Sequence, residues 1–130
     1  MDYREAYEKA LQLLNVRFLS EGELKAKLRR RGVDDDVIED VVAALEGEHF
    51  LDDQRLARDV YRYYARKGQY GHLYIVNRLR RRCLPVPEDV ERPDEYALAG
   101  DLVKRKFSYR ADEARKAARF LQYRGFSPSV

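Results

Sequence analysis

The chain has 130 residues, 38% of them charged and 45% hydrophobic, with a net charge of only +3. That balance is too apolar for a disordered chain and too charged for one thick core, and four Pro with seven Gly leave helix favoured over sheet. No apolar run is long enough to cross a bilayer, no N-terminal stretch has signal-peptide form, and the single Cys83 rules out an internal disulfide and suits a reducing cytoplasm.

The first helix carries an apolar stripe of Ala6, Ala10, Leu11 and Leu14. "SEGE" at 20–23 then reads as a capping box, with Ser20 capping and Glu23 reaching back, and opens a helix that buries Leu24 and Leu28. "GVDDDVIEDVVAAL" restarts a helix after Asp34 or Asp35 and turns Val37, Ile38, Val41, Val42 and Leu45 inward. The next runs from Asp52 or Asp53 to Gly68, and another begins near Tyr70 and carries Ile75 and Leu79. "PEDVER", between Pro87 and Pro93, predicts a short turn. Two last helices are expected over about 94–107 and 110–124, after which Ser127 and Pro128 have the chemistry of a further helix start.

One pattern recurs along this order: "LRRRGV" at 28–33, "LRRRCL" at 79–84 and "LQYRGF" at 121–126. Each is preceded by an apolar residue four positions before its Leu (Leu24, Ile75, Ala117), so each marks the end of an inward-facing helix. Gly32 and Gly125 are helix stops at C′, and Cys83 holds the equivalent place with a packing role expected. The recurrence predicts an all-α chain of tandem three-helix repeats at 1–50, 51–93 and 94–130, the third incomplete at its C-terminus. Units this small cannot bury enough apolar surface alone and share a core by stacking.

Charge is segregated along the chain. Residues 34–54 hold nine Asp or Glu and no Lys or Arg, whereas residues 55–82 hold nine Lys or Arg and one acid, Asp59. A field of that form points to an anionic partner. Arg55, Arg58, Arg62 and Arg66, spaced three, four and four apart, fall on one helical stripe, with Asp59 beside it to orient Arg55 or Arg62 and Lys67 at its end. Tyr70, Tyr74, Arg78 and Arg81 form a second stripe opposite Ile75 and Leu79. Arg30 and Arg81 each project outward, two positions beyond a core Leu. Arginine stripes beside tyrosine suit phosphate contact and base stacking. Tyr63 and Tyr64 are expected to cover the core instead.

Enzyme chemistry has little support in these residues. His49 and His72 have no partner at metal-ligand spacing, Asp52 and Asp53 are explained by helix capping, and Gly68 and Gly71 do not have phosphate-loop spacing. No catalytic group, metal or cofactor is therefore expected.

The sequence resembles the RecX family of bacterial recombinase regulators over nearly its whole length. The resemblance rests on "ALQLLNVRFLSEGELKAKLRRRGV", on "LDDQRLARDVYRYYARKGQYG" followed by "LRRRCL", and on "RFLQYRGFS". Within the first, Ala10, Leu11, Leu14, Arg17, Ser20, Glu23, Leu24, Lys27 and Leu28 fit the family pattern, as do Leu51, Asp52, Asp53, Ala57 and Gly68 in the second. Arg82-Cys83 departs from the Lys-Gly the family usually places there, and the last helix is absent. The resemblance implies three three-helix repeats in a curved, elongated array without catalysis. It implies binding along the groove of the RecA–DNA filament, with restraint of its ATPase, strand-exchange and co-protease activities in recombination, DNA repair and the SOS response. The alternative carried beside it is a helical module that competes for single-stranded DNA. On either reading the expected interface is Arg30, Arg55, Arg58, Arg62, Arg66, Lys67, Tyr70, Tyr74, Arg78 and Arg81, in a cytoplasmic monomer with weak DNA affinity of its own.

Overall fold

The computed structural model describes residues 1–106 and 114–128, and these form seven helices and no strand. They are α1 (Tyr3–Val16), α2 (Glu21–Arg30), α3 (Asp35–Gly47), α4 (Asp53–Arg66), α5 (His72–Arg81), α6 (Glu95–Lys106) and α7 (Ala114–Tyr123). The expected helix end at Phe107 and helix start at Arg110 lie outside the described residues. None of the described helices is long and apolar enough to cross a membrane. Residues 82–94 contain no helix, so the second triad has a run of bends and prolines where the first has α3.

Side chains at the helix starts set the boundaries. Asp2 caps α1 by accepting the Glu5 N–H at 2.9 Å. At α2 the box closes in both directions: Glu23 N–H donates to Ser20 Oγ at 3.1 Å, and Ser20 N–H donates to Glu23 Oε1 at 2.9 Å. The two aspartates of "LDD" divide the labour. Asp52 caps its own helix by accepting from Arg55 N–H at 3.1 Å, while Asp53 accepts the first N–H of α2, from Glu21, at 2.9 Å.

In its first and third copies the recurring six-residue pattern is one hydrogen-bonded device, the Schellman cap. In the first copy Val33 N–H reaches Leu28 O at 3.2 Å and Gly32 N–H reaches Arg29 O at 3.0 Å, with Gly32 at φ +80°. In the third copy Phe126 N–H reaches Leu121 O and Gly125 N–H reaches Gln122 O, both at 3.0 Å, with Gly125 at φ +83°. The pattern's Leu is therefore the carbonyl that closes the cap, and its last residue is the apolar partner beyond the turn. Cys83 adopts the same left-handed backbone, at φ +58°, between the buried Leu79 and Leu84. Its side chain is exposed on one side and packs on the other against Gly22, where an added Cβ would lie 2.7 Å from the Cys83 Cβ and 3.0 Å from its Sγ. A further copy, unmarked by glycine, ends α3: Phe50 N–H reaches Leu45 O at 2.9 Å with His49 at φ +66°.

The described chain divides into two compact units. The first comprises residues 1–57 and 81–85, the second residues 58–80 and 86–130. In the first, α1, α2 and α3 pack together around Ala6, Ala10, Leu24, Leu28, Ile38, Val41 and Leu45. Leu19 and Leu51 extend that cluster, and Tyr7, Leu11, Leu13, Leu14 and Val37 edge it. Arg82 is tied into this unit by Nη2 and Nε bonds to Glu23 at 3.0 and 3.3 Å, and by a 2.9 Å bond to Phe18 O. The acidic 34–54 segment is partly neutralised here, because Lys25 bridges Glu21 and Glu39 at 2.9 and 3.0 Å and Arg29 pairs with Asp35 at 3.0 Å.

In the second unit the buried residues include Tyr61, Ile75, Val76, Leu79, Ala99 and Phe126. Its assembly depends on a close backbone approach between two glycines. Gly71 N–H donates to Arg124 O at 2.8 Å, and Leu73 N–H donates to Gly125 O at 3.2 Å, so the end of α7 caps the start of α5. A Cβ on Gly71 would collide with the Gly125 carbonyl, and one on Gly125 would collide with the Tyr74 backbone. His72 N–H, next along, donates to Glu95 Oε1 at 3.0 Å.

Candidate functional site

The second unit assembles its polar face from α4, the 67–71 turn, α5 and the end of α7. Along α4, Arg62 and Arg66 are exposed one turn apart, and neither has an acidic partner among the described residues. Arg58 is half-buried with its guanidinium 3.6 Å from Asp89, so its charge is partly met within the unit. Arg55 is exposed on the first turn of the same helix. Asp59, expected to orient Arg55 or Arg62, forms an ion pair with neither. Arg30 and Arg81 are exposed in the first unit, again without an ion pair among the described residues.

Beside this stripe stand four tyrosines. Tyr70 and Tyr74 stack at 4.0 Å with planes 7° apart, and Tyr64 meets both edge-on at 5.9 and 6.0 Å. Tyr63 meets Tyr64 edge-on at 5.2 Å. Cations cover this cluster. Lys67 Nζ lies 4.6 Å from the Tyr63 ring, the Arg78 guanidinium 5.0 Å from that of Tyr74, and Arg124 5.5 Å from that of Tyr70. Arg78 also donates to the Tyr74 hydroxyl through Nη2 at 2.7 Å and Nε at 3.1 Å. Burial pushes the Tyr74 phenol up, but hydrogen bonds from Arg78 and Tyr70 outweigh it and leave the group below its ordinary value. The Lys67 ammonium is held above its ordinary value by its hydrogen bond to Tyr63.

Of the residues singled out in the sequence, the second unit gathers Arg58, Arg62, Arg66, Lys67, Tyr70, Tyr74 and Arg78. Tyr70 precedes α5 rather than lying on it. Tyr63, expected to cover the core, is 55% exposed and belongs to the cationic face. Tyr61 is the core tyrosine, fully buried, with its hydroxyl 2.8 Å from His72 Nδ1. Arg124 was not singled out. Its signal was its place before Gly125, where the chain turns back onto α5. No group of three or more His, Cys, Asp or Glu placed to hold a metal exists among the described residues. The arrangement can bind anions and present aromatic faces.

A sequence model of the first three-helix domain of RecX matches residues 6–45. The Regulatory protein RecX of Halorhodospira halophila is 38% identical over 128 residues, covering 91% of this chain and 78% of that protein. That of Pelodictyon phaeoclathratiforme is 34% identical over 125 residues, covering 90% and 78%. The one from Geobacillus kaustophilus is 30% identical over 124 residues, and this chain spans only 45% of its length. The crystal structure of RecX from Lactobacillus salivarius superposes with a TM-score of 0.80 at 24% identity, covering 98% of this chain and 90% of that one, a likeness of fold.

Proposed function

The chain belongs to the RecX family of regulatory proteins, and from that premise we propose that it regulates the RecA recombinase by binding the RecA–DNA filament. Binding restrains the filament's ATPase, strand-exchange and co-protease activities. The protein acts as a cytoplasmic monomer and by occupancy, not by catalysis. Its repeats are 1–50, 51–93 and 94–130, and its contacts come from Arg30, Arg55, Arg58, Arg62, Arg66, Lys67, Tyr70, Tyr74, Arg78 and Arg81.

One observation carries this reading: an exposed cationic face on α4, with Arg62 and Arg66 free of carboxylate partners among the described residues and bordered by tyrosine. Cations without internal partners lower their energy by releasing counterions from an anionic lattice. A second reading, competition for single-stranded DNA, is favoured by the exposed ring of Tyr63, since bases are available for stacking only when unpaired.

The two separate in a titration of preformed filaments at two DNA concentrations. A filament regulator holds filaments more tightly than naked strand at matched salt, because linked contacts to protein and DNA raise avidity. Inhibition that tracks total DNA and disappears with added strand would select the competitor. Arg62→Glu with Arg66→Glu should weaken filament binding with helicity intact. Unchanged affinity in that folded variant would remove this face from the interface.

A further inference from the structure

Beyond the α4 stripe, the second unit holds a separate recess of about 330 Å³ to which Lys67, Arg105, Lys106 and Arg124 all contribute and, among the described residues, no acid does. Its floor is an aromatic ring: Lys106 Nζ stands 4.4 Å and the Arg124 guanidinium 5.0 Å from the Phe120 centroid. Arg124 is held there by its Nη1, 3.4 Å from both Gln69 O and Gln69 Oε1, and meets no carboxylate among the described residues. Arg105 has one, Asp101 at 3.0 Å, in an exposed pair one helical turn apart that a stronger anion can displace. Cationic groups gathered at one small recess, the Arg124 guanidinium among them without a carboxylate among the described residues, favour an anion there. Guanidinium and ammonium groups arranged in this way match the several oxygens of a phosphate.

The recess and the α4 face share one lining residue. Lys67 lines it and also lines the groove of about 500 Å³ formed by Asp59, Arg62, Tyr63 and Arg66. A phosphate in the recess thus has, across Lys67, the exposed ring of Tyr63 and two further arginines. A phosphate recess near a half-exposed aromatic ring, Tyr63, with Lys67 over one face of it, matches a strand whose bases are unpaired, because a paired base has no free face.

We propose that this recess seats a backbone phosphate of single-stranded nucleic acid, with Lys67 passing the strand to the Tyr63 groove, where a base stacks. The proposal rests on the nucleic-acid part of the function proposed above and adds the strand's path and the residues Arg105, Lys106, Phe120 and Arg124.

The test uses the full chain and a fluorescein-labelled oligothymidylate of about 15 nucleotides, a length several-fold that of the smallest single-strand sites. Anisotropy is read across a salt series, beside a duplex of the same length. Arg105→Gln with Lys106→Gln should weaken single-strand binding roughly tenfold and lower the log–log salt slope by about 0.7, the release expected for one phosphate contact. Tyr63→Ala should weaken the single strand roughly tenfold and the duplex hardly at all, while Tyr63→Phe binds as the parent does. Pyrophosphate should compete poorly, because it offers no base.

Unchanged affinity and slope in a double variant of parental helicity would overturn the proposal. So would pyrophosphate displacing the strand at equal phosphate concentration, which would make the recess a site for free anions. No recombinase is present, so a chain that binds oligonucleotide but not filaments sinks only the filament reading. A double variant that loses filaments while holding oligonucleotide like the parent sinks only this one.

Discussion

Gly32, Gly71 and Gly125 separate two reasons for a glycine, and substituting each by alanine should rank them. Gly32 is left-handed at φ +80° with nothing within 4 Å of an added Cβ, so Gly32→Ala meets only the backbone penalty. That is about 1–2 kcal/mol, offset in part by the stiffer unfolded chain, leaving a net cost of about 1 kcal/mol. Gly71 has no left-handed backbone, but its Cβ would meet the Gly125 carbonyl and lie 2.7 Å from Phe126 N. Relief requires backbone movement, which strains two hydrogen bonds, Gly71 N–H to Arg124 O and Leu73 N–H to Gly125 O. Overpacking at about 1–3 kcal/mol and bonds at about 1 kcal/mol each put Gly71→Ala near 3 kcal/mol. Gly125→Ala combines a φ of +83° with a collision against Tyr74, and should cost about 4 kcal/mol. Urea denaturation followed by circular dichroism gives the order. Hydrogen exchange at Val33 N–H for the first unit, and at Leu73 and Phe126 N–H for the second, shows which unit loosens. The reasoning fails if Gly71→Ala costs no more than Gly32→Ala, or if its added exchange appears at Val33.

Arg82→Ala should destabilise the first unit by about 2 kcal/mol, because it removes two charge-assisted bonds to a Glu23 whose side chain is only 22% exposed, together with the bond to Phe18 O. Burial raises the Glu23 carboxyl, but the Arg82 guanidinium and the Ser20 N–H outweigh it and hold it below its ordinary value. The stability from that shift is present above the unfolded pKa and is lost as pH falls through the folded one, so an acid melt of Arg82→Ala should be flatter over that window. His72 is lowered by burial and by Arg92, against Glu95. Its contribution is therefore present above about pH 6.5 and is lost as pH falls below it, and His72→Phe should remove that mild-acid slope from second-unit exchange rates. Glu46 is raised, first by burial and then by Glu21. Glu46→Gln should raise the unfolding midpoint at neutral pH, a gain that disappears as pH falls into the carboxylate range; an equal gain at low pH would point to another cause.

The sequence made the helices legible because their boundary signals are local. Ser20 and Glu23 close a box within four residues, and Gly32 and Gly125 can be read as stops from the chain alone. His49 hid a further stop of the same kind, because its left-handed backbone is imposed by the cap's geometry and not by residue type. Asp53 was legible as a cap, but not as the cap of α2, a helix that begins 32 residues earlier in the chain. The shared exposed face of candidate residues on one helix, such as Arg62 and Arg66, followed from periodicity. Those brought in by tertiary contact did not: Arg124 reaches Tyr70 only because Gly71 and Gly125 allow two backbones to meet. Tyr61 and Tyr63 sit two positions apart with opposite fates, one in the core and one on the cationic face. Composition cannot separate them, and helical phase separates them only once the core side is known.

The arginines of the repeated cap divide by position, and that bears on which of them a partner can use. One residue past the cap's Leu the fates differ: Arg29 pairs with Asp35, whereas Arg80 is exposed with no ion pair among the described residues. Three past it, Arg31 bonds the Lys27 carbonyl, Arg82 bonds Glu23 and Arg124 bonds Gln69. That third position leads directly into the left-handed residue, so its side chain is turned back along its own unit and finds a partner there. Two past the Leu lie Arg30, Arg81 and Tyr123, all exposed, with no ion pair from either arginine among the described residues. The repeat therefore fixes one arginine and frees another by geometry alone, even though the residues on either side are chemically the same. A charge reversal at Arg30 or Arg81 should accordingly leave stability within about 0.5 kcal/mol of the parent, the usual range for an exposed site without partners. The same reversal at Arg82 sets a negative charge beside Glu23 and should destabilise more than Arg82→Ala does. If Arg81→Glu and Arg82→Glu shift the unfolding midpoint equally, the position in the cap does not decide the role of its arginines.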